Sequence, residues 1–135
     1  MGRLNGKVII VTGSARGIGR EYALHFARDQ AKVVLCDIRD CRDTVKEIEA
    51  NGGEALSLIT DVSSEQSTIE MAKKTAERFG RIDVLVNNAA YFPNKPSMAE
   101  MLVTSFEDLT VEDWDKVMAV NLKGVFLCCK RWFPL

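Results

Sequence analysis

The chain alternates short apolar runs with longer stretches in which apolar residues recur every three or four positions. A short apolar run bounded by turn residues is typical of a strand buried on both faces, and the longer period is typical of an amphipathic helix. The pattern predicts strands at 8–11, 32–36, 55–60 and 82–86. Between them it predicts helices that end near Asp29, at residues 51–53 and at Gly80. The predicted order is therefore β-α-β-α-β-α-β.

The helical periods also predict which residues face the core. Ser63 and Gln66 have the spacing of a capping box at the start of the third helix. The predicted buried stripe of the first helix consists of Ile18, Tyr22, Ala23, Phe26 and Ala27. That of the third helix consists of Ile69, Ala72, Ala76 and Phe79.

A long irregular stretch at 91–109 follows the fourth strand and contains Pro93 and Pro96. Loops of this length commonly cover a site or are mobile. Thr110 then has the character of a helix N-cap, and the apolar spacing predicts a helix to about Arg131. Its expected shared face consists of Trp114, Val117, Met118, Asn121, Val125 and Phe126.

Because parallel strands need a crossover between them, this alternation predicts an α/β fold with a parallel sheet covered by helices on both faces. Surface scaling favours one compact domain for 135 residues. We expect a single domain, 1–135, arranged as three α/β/α layers.

Composition and charge exclude several classes of protein. Hydrophobic residues make up 47% and charged residues 27%, unlike disordered, collagen-like or disulfide-scaffold chains. The net charge of -1 provides no basic surface for nucleic acid or a membrane. No apolar run has the length of a membrane span or a signal peptide, which favours a cytoplasmic protein. Four cysteines without metal-ligand spacing predict reduced, structural thiols and no metal site.

The turn after the first strand, Thr12-Gly13-Ser14-Ala15-Arg16-Gly17-Ile18-Gly19, has the character of a phosphate-binding loop. Gly13 would permit a tight, positive-φ turn, Gly17 would let a pyrophosphate approach the backbone, and Gly19 would let helix and strand pack closely. Asp37 follows Gly19 by 18 positions, near the offset at which an acid reaches the adenosine ribose. The turn predicts a dinucleotide site, with a purely structural turn as the alternative.

With three further motifs, this turn resembles the short-chain dehydrogenase/reductase family. These motifs are Asp61-Val62 after the third strand, Asn87-Asn88-Ala89-Ala90 after the fourth, and Val120-Asn121-Leu122-Lys123-Gly124 in the last helix. Ala90 stands where the family usually has glycine. The resemblance covers the family's first half, from about Leu4. It implies a Rossmann-type doubly wound sheet that is incomplete after the fourth strand and the following helix.

The resemblance implies roles for individual residues. Asp61 would accept from the adenine amino group beside Val62, Asn87 would brace the sheet, and Asn88 and Ala89 would approach the ribose. Asn121 would be the catalytic asparagine that holds a water in a proton relay. The residues implied to line the phosphates and ribose are Gly13, Ser14, Arg16, Gly17, Ile18 and Gly19.

Two of these assignments have structural alternatives. Asp61 could instead be a helix N-terminal acid near Ser63. Asn121 could be hydrogen-bonded within a helix kink, which is compatible with the catalytic role. His25 is expected to be a surface or packing residue, and the acids around Thr110 are expected to form a solvated helix start.

NAD is favoured over NADP. Asp37 would bind both ribose hydroxyls of NAD and repel a 2′-phosphate, whereas Arg16 and Arg39 could attract that phosphate. The resemblance implies an NAD(P)-dependent oxidoreductase acting on an alcohol or ketone, represented here by its dinucleotide-binding half, and a homo-oligomer.

The alternative function is a non-catalytic dinucleotide-binding module, because the family's catalytic serine and Tyr-x-x-x-Lys pair have no convincing match. Tyr91 and Lys95 have that spacing, but Pro93 between them disfavours a helix. Residues 84–86 would also form an exposed apolar edge strand, which favours self-association.

Overall fold

The computed structural model describes residues 2–93 and 105–132. Its first part consists of β1 (Val8–Thr12), α1 (Gly17–Arg28), β2 (Lys32–Asp37), α2 (Arg42–Ala50), β3 (Glu54–Ile59), α3 (Glu65–Phe79) and β4 (Val84–Val86). Its second part consists of a 3₁₀ turn (Phe106–Asp108), α4 (Val111–Val117), a π-helical segment (Met118–Lys123) and α5 (Gly124–Trp132). Most of the predicted long loop lies outside the described residues. The predicted element order is confirmed.

The four strands form one parallel sheet in the order β3-β2-β1-β4. Val8 is in register with Lys32 of β2, and Ile9 is in register with Val84 of β4. Strands that are consecutive along the chain are connected through a helix, as the alternation predicts. Among the described residues β4 pairs with β1 alone and forms an edge of the sheet.

Alternate residues of the strands face two separate cores. Ile9 and Val11 of β1 pack in a cluster with Ala23 and Leu24 of α1. Val8 and Ile10 pack in a second cluster, which includes Met71 of α3 and Cys128 of α5. The sheet is therefore covered on both faces, and the predicted three-layer, Rossmann-type architecture is confirmed.

The predicted core stripe of α1 is partly wrong. Ile18 is 68% exposed and Tyr22 is 42% exposed, whereas Ala23 and Leu24 are buried. The reason is that Gly19 is buried against Gly13, so the side of α1 that carries Gly19 packs on the glycine-rich loop. Ile18 consequently faces solvent at the carboxyl end of the sheet.

The predicted stripe of α3 is also displaced. Thr68, Met71 and Thr75 are the buried residues of this helix. The hydroxyl of Thr68 donates to the Glu65 carbonyl at 2.8 Å, and that of Thr75 donates to the Met71 carbonyl at 2.7 Å. Because the helix backbone satisfies both hydroxyls, these threonines can pack in the core. The residues predicted for this role, Ile69, Ala72, Ala76 and Phe79, are half-buried or exposed.

The N-cap of α3 lies one residue later than the predicted capping box. The Ser64 hydroxyl accepts from the Ser67 N–H at 3.3 Å. Ser63 instead bonds to Asp61. The predicted stop at Gly80 is confirmed, with φ of 77° in the left-handed region.

The helix predicted from Thr110 to Arg131 is present, but its middle is π-helical. Trp114 and Phe126, predicted to share its face, are 57% and 62% exposed. Within the described ranges, no helix is long and apolar enough to cross a membrane.

All four cysteines are free thiols, as predicted. Burial raises the pKa of Cys36 to about 12 and that of Cys128 to about 11, so both thiols are neutral at physiological pH.

Candidate cofactor-binding site

The glycine turn has the backbone that the sequence predicts. Gly13 and Gly17 have φ of 68° and 58°, in the region that favours glycine. A Cβ atom on Gly17 would meet no atom within 4 Å, so the backbone there borders open space at the start of α1. A helix N-terminus with exposed backbone suits an anionic phosphate.

Three hydrogen bonds attach this turn to the end of β2. The Cys36 carbonyl accepts from the Gly13 N–H at 2.7 Å and from the Ser14 N–H at 3.3 Å. It also accepts from the Ser14 hydroxyl at 3.4 Å. The Ser14 side chain is fully buried, so its predicted place lining the phosphates needs correction. Ser14 supports the turn from behind, because its polar groups point toward β2.

Asp37 stands at the carboxyl end of β2, where the sequence predicts it. One carboxylate oxygen accepts from the Ala15 N–H at 3.0 Å, and the other accepts from the Arg39 N–H at 3.0 Å. The acid thus borders both the glycine turn and the loop after β2. Arg16 and Arg39 are exposed on these two segments.

Asp61 is exposed after β3, and its Oδ1 atom accepts from Ser63. Val62 is buried, and a Cβ atom on Gly124 would lie 2.9 Å from its Cγ2. The Val62 side chain therefore packs beneath α5, and its predicted position beside an adenine ring needs correction.

Two exposed apolar residues at this edge were not predicted. Ile38 is 69% exposed and directly follows Asp37, and Ile59 is 66% exposed at the end of β3. Apolar surface beside the two acids suits a flat aromatic base. The sequence does carry a signal for them: each of the two acids already assigned to the site, Asp37 and Asp61, has an apolar residue within two positions at the end of its strand.

The brace predicted for Asn87 is made by Asn88 instead. The Asn88 amide donates to the carbonyls of Thr12 and Gly13 at 3.0 and 3.1 Å. Asn87 is exposed, and its amide donates to the Cys129 sulfur at 3.5 Å. Asn88 is therefore the residue that braces β4 against the glycine turn, because its amide lies over the end of β1.

Thr12 completes this brace and was not singled out from the sequence as a support. Its hydroxyl oxygen accepts from the N–H groups of Asn88 and Ala89, both at 3.1 Å. A Cβ atom on Gly13 would lie 2.7 Å from the Ala89 Cα. The glycine turn and the segment after β4 are thus in direct contact.

Asn121 lies in the π-helical segment and pairs with the backbone of Tyr91 in both directions. Its Oδ1 accepts from the Tyr91 N–H at 2.7 Å, and its Nδ2 donates to the Tyr91 carbonyl at 3.0 Å. The side chain therefore anchors the segment after β4 and bonds outside its own helix, a contact that neither interpretation of Asn121 predicted. Lys95 lies outside the described residues.

Of the acids near Thr110, Glu112 and Asp113 lie in the first turn of α4, and Glu107 and Asp108 lie in the preceding 3₁₀ turn. The Thr110 hydroxyl accepts from the Asp113 N–H at 3.0 Å, which confirms the predicted N-cap. His25 is exposed on α1, as predicted.

Comparison with known proteins agrees with this geometry. The family model described as short chain dehydrogenase matches residues 7–135. An uncharacterized oxidoreductase of Thermotoga maritima is 42% identical over 93% of this chain and 46% of its own length. The short chain dehydrogenase/reductase astE of Aspergillus oryzae is 41% identical over 94% of this chain and 47% of its own length. The chain spans about half the length of the curated relatives it matches.

Two solved structures share the fold. A short chain dehydrogenase from Mycobacterium avium superposes with a TM-score of 0.86 at 34% identity, over 97% of this chain and 47% of that one. A short chain dehydrogenase from Burkholderia cenocepacia J2315, solved in complex with NADP, gives 0.82 at 32% identity, over 96% and 50%. A glycine turn braced by Asn88, an acid at the end of β2 and a family match across nearly all of the sequence lead to one conclusion: this chain belongs to the short-chain dehydrogenase family.

Proposed function

We propose that this chain is the NAD-binding half of an oxidoreductase that acts on an alcohol or a ketone. The observation that carries the proposal is the position of Asp37, whose carboxylate lies 3.0 Å from the Ala15 N–H of the glycine turn. An acid at the end of the second strand, beside a phosphate-binding turn, is the arrangement that binds a dinucleotide at the switch point of a doubly wound sheet.

The residues at the carboxyl edge fit the parts of such a cofactor. The open backbone at Gly17 suits the pyrophosphate, Asp37 suits the adenosine ribose, and Asp61 suits the adenine amino group. The nicotinamide, when bound, supplies the hydride chemistry, and the protein supplies binding and orientation. The proposed cofactor-contacting residues are Gly13, Arg16, Gly17, Ile18, Gly19, Asp37, Asp61 and Ala89, with Ser14, Val62 and Asn88 as residues that support the site from behind.

The preference for NAD rests on charge. The Asp37 carboxylate would accept hydrogen bonds from ribose hydroxyls and repel a phosphate in the same place. Arg16 and Arg39 are exposed nearby and act in the opposite sense. NAD is the proposed cofactor because the acid stands at the ribose position, and NADP is the alternative.

Asn121 is the proposed catalytic residue of this half. Because its side-chain amide is engaged with Tyr91, a relay water would be held by its backbone carbonyl. The π-helical segment supports this assignment, since such segments interrupt the regular carbonyl pairing of a helix and are frequent at functional sites.

A second candidate function is dinucleotide binding without catalysis. The only Tyr-x-x-x-Lys in the sequence is at Tyr91 and Lys95, with Pro93 between them. The backbone of Tyr91 is held by Asn121 and is not part of a helix. We therefore do not expect the Tyr91 phenol and the Lys95 ammonium to be aligned for proton transfer.

Titration of the purified chain with NADH and NADPH, followed by a turnover assay with alcohols and ketones, tests both candidates. The proposal expects tighter binding of NADH. Binding without turnover would favour the non-catalytic module for this polypeptide, and absence of binding to either dinucleotide would refute both candidates.

We also propose a homo-oligomer. Trp114, Leu122 and Phe126 expose apolar surface on the second part of the described chain, each more than half accessible. Exposed apolar surface of this kind favours protein association. A small-molecule substrate, a cytoplasmic location and the lack of a nucleic acid or membrane partner remain predictions.

A further inference from the structure

We propose that Ser63 is a positioning residue for adenine recognition, which holds the Asp61 carboxylate so that one oxygen is presented to the amino group of the base. This inference rests on the proposed dinucleotide binding and adds a residue to it.

The contacts between the two side chains carry the inference. Oδ1 of Asp61 accepts from the Ser63 N–H at 2.9 Å and from the Ser63 hydroxyl at 2.6 Å. Within residues 2–93 and 105–132, no group donates to Oδ2. One oxygen is therefore occupied by Ser63, and the other is left for a ligand on an exposed residue.

The backbone around Asp61 is anchored independently of Ser63. The Asp61 N–H donates to the Ser67 hydroxyl at 2.9 Å, and the Asp61 carbonyl accepts from the Ser64 N–H at 3.1 Å. Val62 is buried against α5. The main freedom left to Asp61 is rotation of its own carboxylate, and the Ser63 hydroxyl restricts that rotation.

A held carboxylate would discriminate between bases by hydrogen-bond polarity. Adenine presents an amino donor at its 6-position, which a carboxylate oxygen can accept. Hypoxanthine presents a carbonyl oxygen there, which the same carboxylate repels. A carboxylate that rotates freely would lose part of this discrimination. The two roles considered for Asp61, helix N-terminal acid and adenine acceptor, are then compatible. Oδ1 accepts hydrogen bonds in the turn before α3, and Oδ2 is available to accept from the base.

The test compares dissociation constants for NADH and for its hypoxanthine analogue in fluorescence titrations of the purified chain. Wild type is expected to prefer NADH, and Ser63→Ala should lower that preference by about threefold to tenfold, the weight of one hydrogen bond. Ser63→Thr keeps the hydroxyl and should retain the preference. Asp61→Ala should bring the ratio close to one.

Ser64→Ala is the matched control. It removes the N-cap of the same helix but no contact to the Asp61 side chain, so it should lower thermal stability and leave the ratio unchanged. If Ser63→Ala weakens both ligands equally, or leaves the ratio at the wild-type value, Ser63 has only a structural role and the inference is wrong. A ratio unaffected by Asp61→Ala would refute adenine recognition by Asp61 as well. A chain that binds neither dinucleotide would refute the proposed function itself, and this inference with it.

Discussion

Gly19 lies so close to Gly13 that a Cβ atom on residue 19 would stand 2.2 Å from the Gly13 carbonyl oxygen. It would also stand 2.5 Å from Nδ2 of Asn88. Both neighbours belong to the contact between the glycine turn and the segment after β4, and the nearer one is backbone. A side chain at position 19 can enter only if the turn shifts.

Gly19→Ala is therefore expected to lower the free energy of unfolding by about 1–3 kcal/mol, the range for overpacking, and to weaken NADH binding. Urea unfolding and NADH titration measure the two effects. Gly52→Ala is a suitable control for steric crowding, because a Cβ atom there meets nothing within 4 Å; unlike Gly19, Gly52 has a positive φ, of 81°. It should lose some stability and keep NADH affinity. Wild-type stability and affinity in Gly19→Ala would contradict the close packing.

Gln30→Gly is expected to stabilise the chain. Gln30 has φ of 66° at the end of α1, where its N–H donates to the Ala27 carbonyl and the next N–H donates to the Phe26 carbonyl. Glycine is preferred in this helix-ending motif. The substitution also removes a solvent-exposed hydrogen bond from the Gly2 N–H to the Gln30 side chain, so the free energy of unfolding should rise by about 1 kcal/mol or less. Gln30→Ala loses the same bond without relieving the backbone and should melt below wild type. A melting temperature for Gln30→Gly at or below that of Gln30→Ala would count against the interpretation.

Asp37→Ala, with Arg16 and Arg39 retained, is expected to shift the preference from NADH toward NADPH. The substitution removes the charge that opposes a 2′-phosphate and leaves the two guanidinium groups. Paired titrations with both cofactors measure the ratio. Loss of the bond to the Ala15 N–H should weaken both cofactors, so the ratio is the informative quantity. An unchanged ratio would refute the assignment of Asp37.

Asp83 should make stability depend on acid pH. Burial opposes its ionisation, but the Val8 N–H, at 2.9 Å, and the cations of Arg81 and Lys7 outweigh it and hold the pKa of Asp83 below its usual value. A carboxyl group with a lowered folded-state pKa stabilises the fold above the unfolded pKa of about 4, and this contribution is lost as the pH falls through the folded value.

Asp83→Asn should consequently be less stable than wild type at pH 7, and the difference should shrink at pH 3. Urea unfolding at the two pH values measures it. Glu77→Gln, on the exposed surface of α3, serves as a charge-matched control. A constant difference between wild type and Asp83→Asn would show that the ion pairs do not stabilise the fold.

The exposed apolar residues should mediate self-association. We expect the chain to elute from size-exclusion chromatography as an oligomer, and Phe126→Asp, at a residue 62% exposed, to shift the population toward monomer. His25→Asp, on the exposed surface of α1, is the control and should keep the wild-type elution. A concentration-independent monomer of the wild-type chain with cooperative melting would contradict the proposal.

Much of the fold could be predicted because its signals are local. A β-branched run such as 8–11 and a glycine stop such as Gly80 express preferences of a few adjacent residues. The positions of Gly13, Gly17, Gly19 and Asp37 could be predicted for the same reason, since turn geometry and strand ends are encoded nearby. The core stripes of α1 and α3 could not, because Gly19 and the two buried threonines gain their places through contacts that hydropathy does not record.

The sequence by itself determined the order of elements, the parallel sheet, the family and the edge of the sheet at which a dinucleotide would bind. Only the tertiary structure decided that Asn88 rather than Asn87 braces the turn, that Ser14 and Val62 face inward, and that Ser63 holds Asp61. The physical reason is distance along the chain. The Asn88 amide meets Thr12 across 76 positions, and such pairings depend on how packed layers bring remote residues together rather than on the preferences of neighbouring ones.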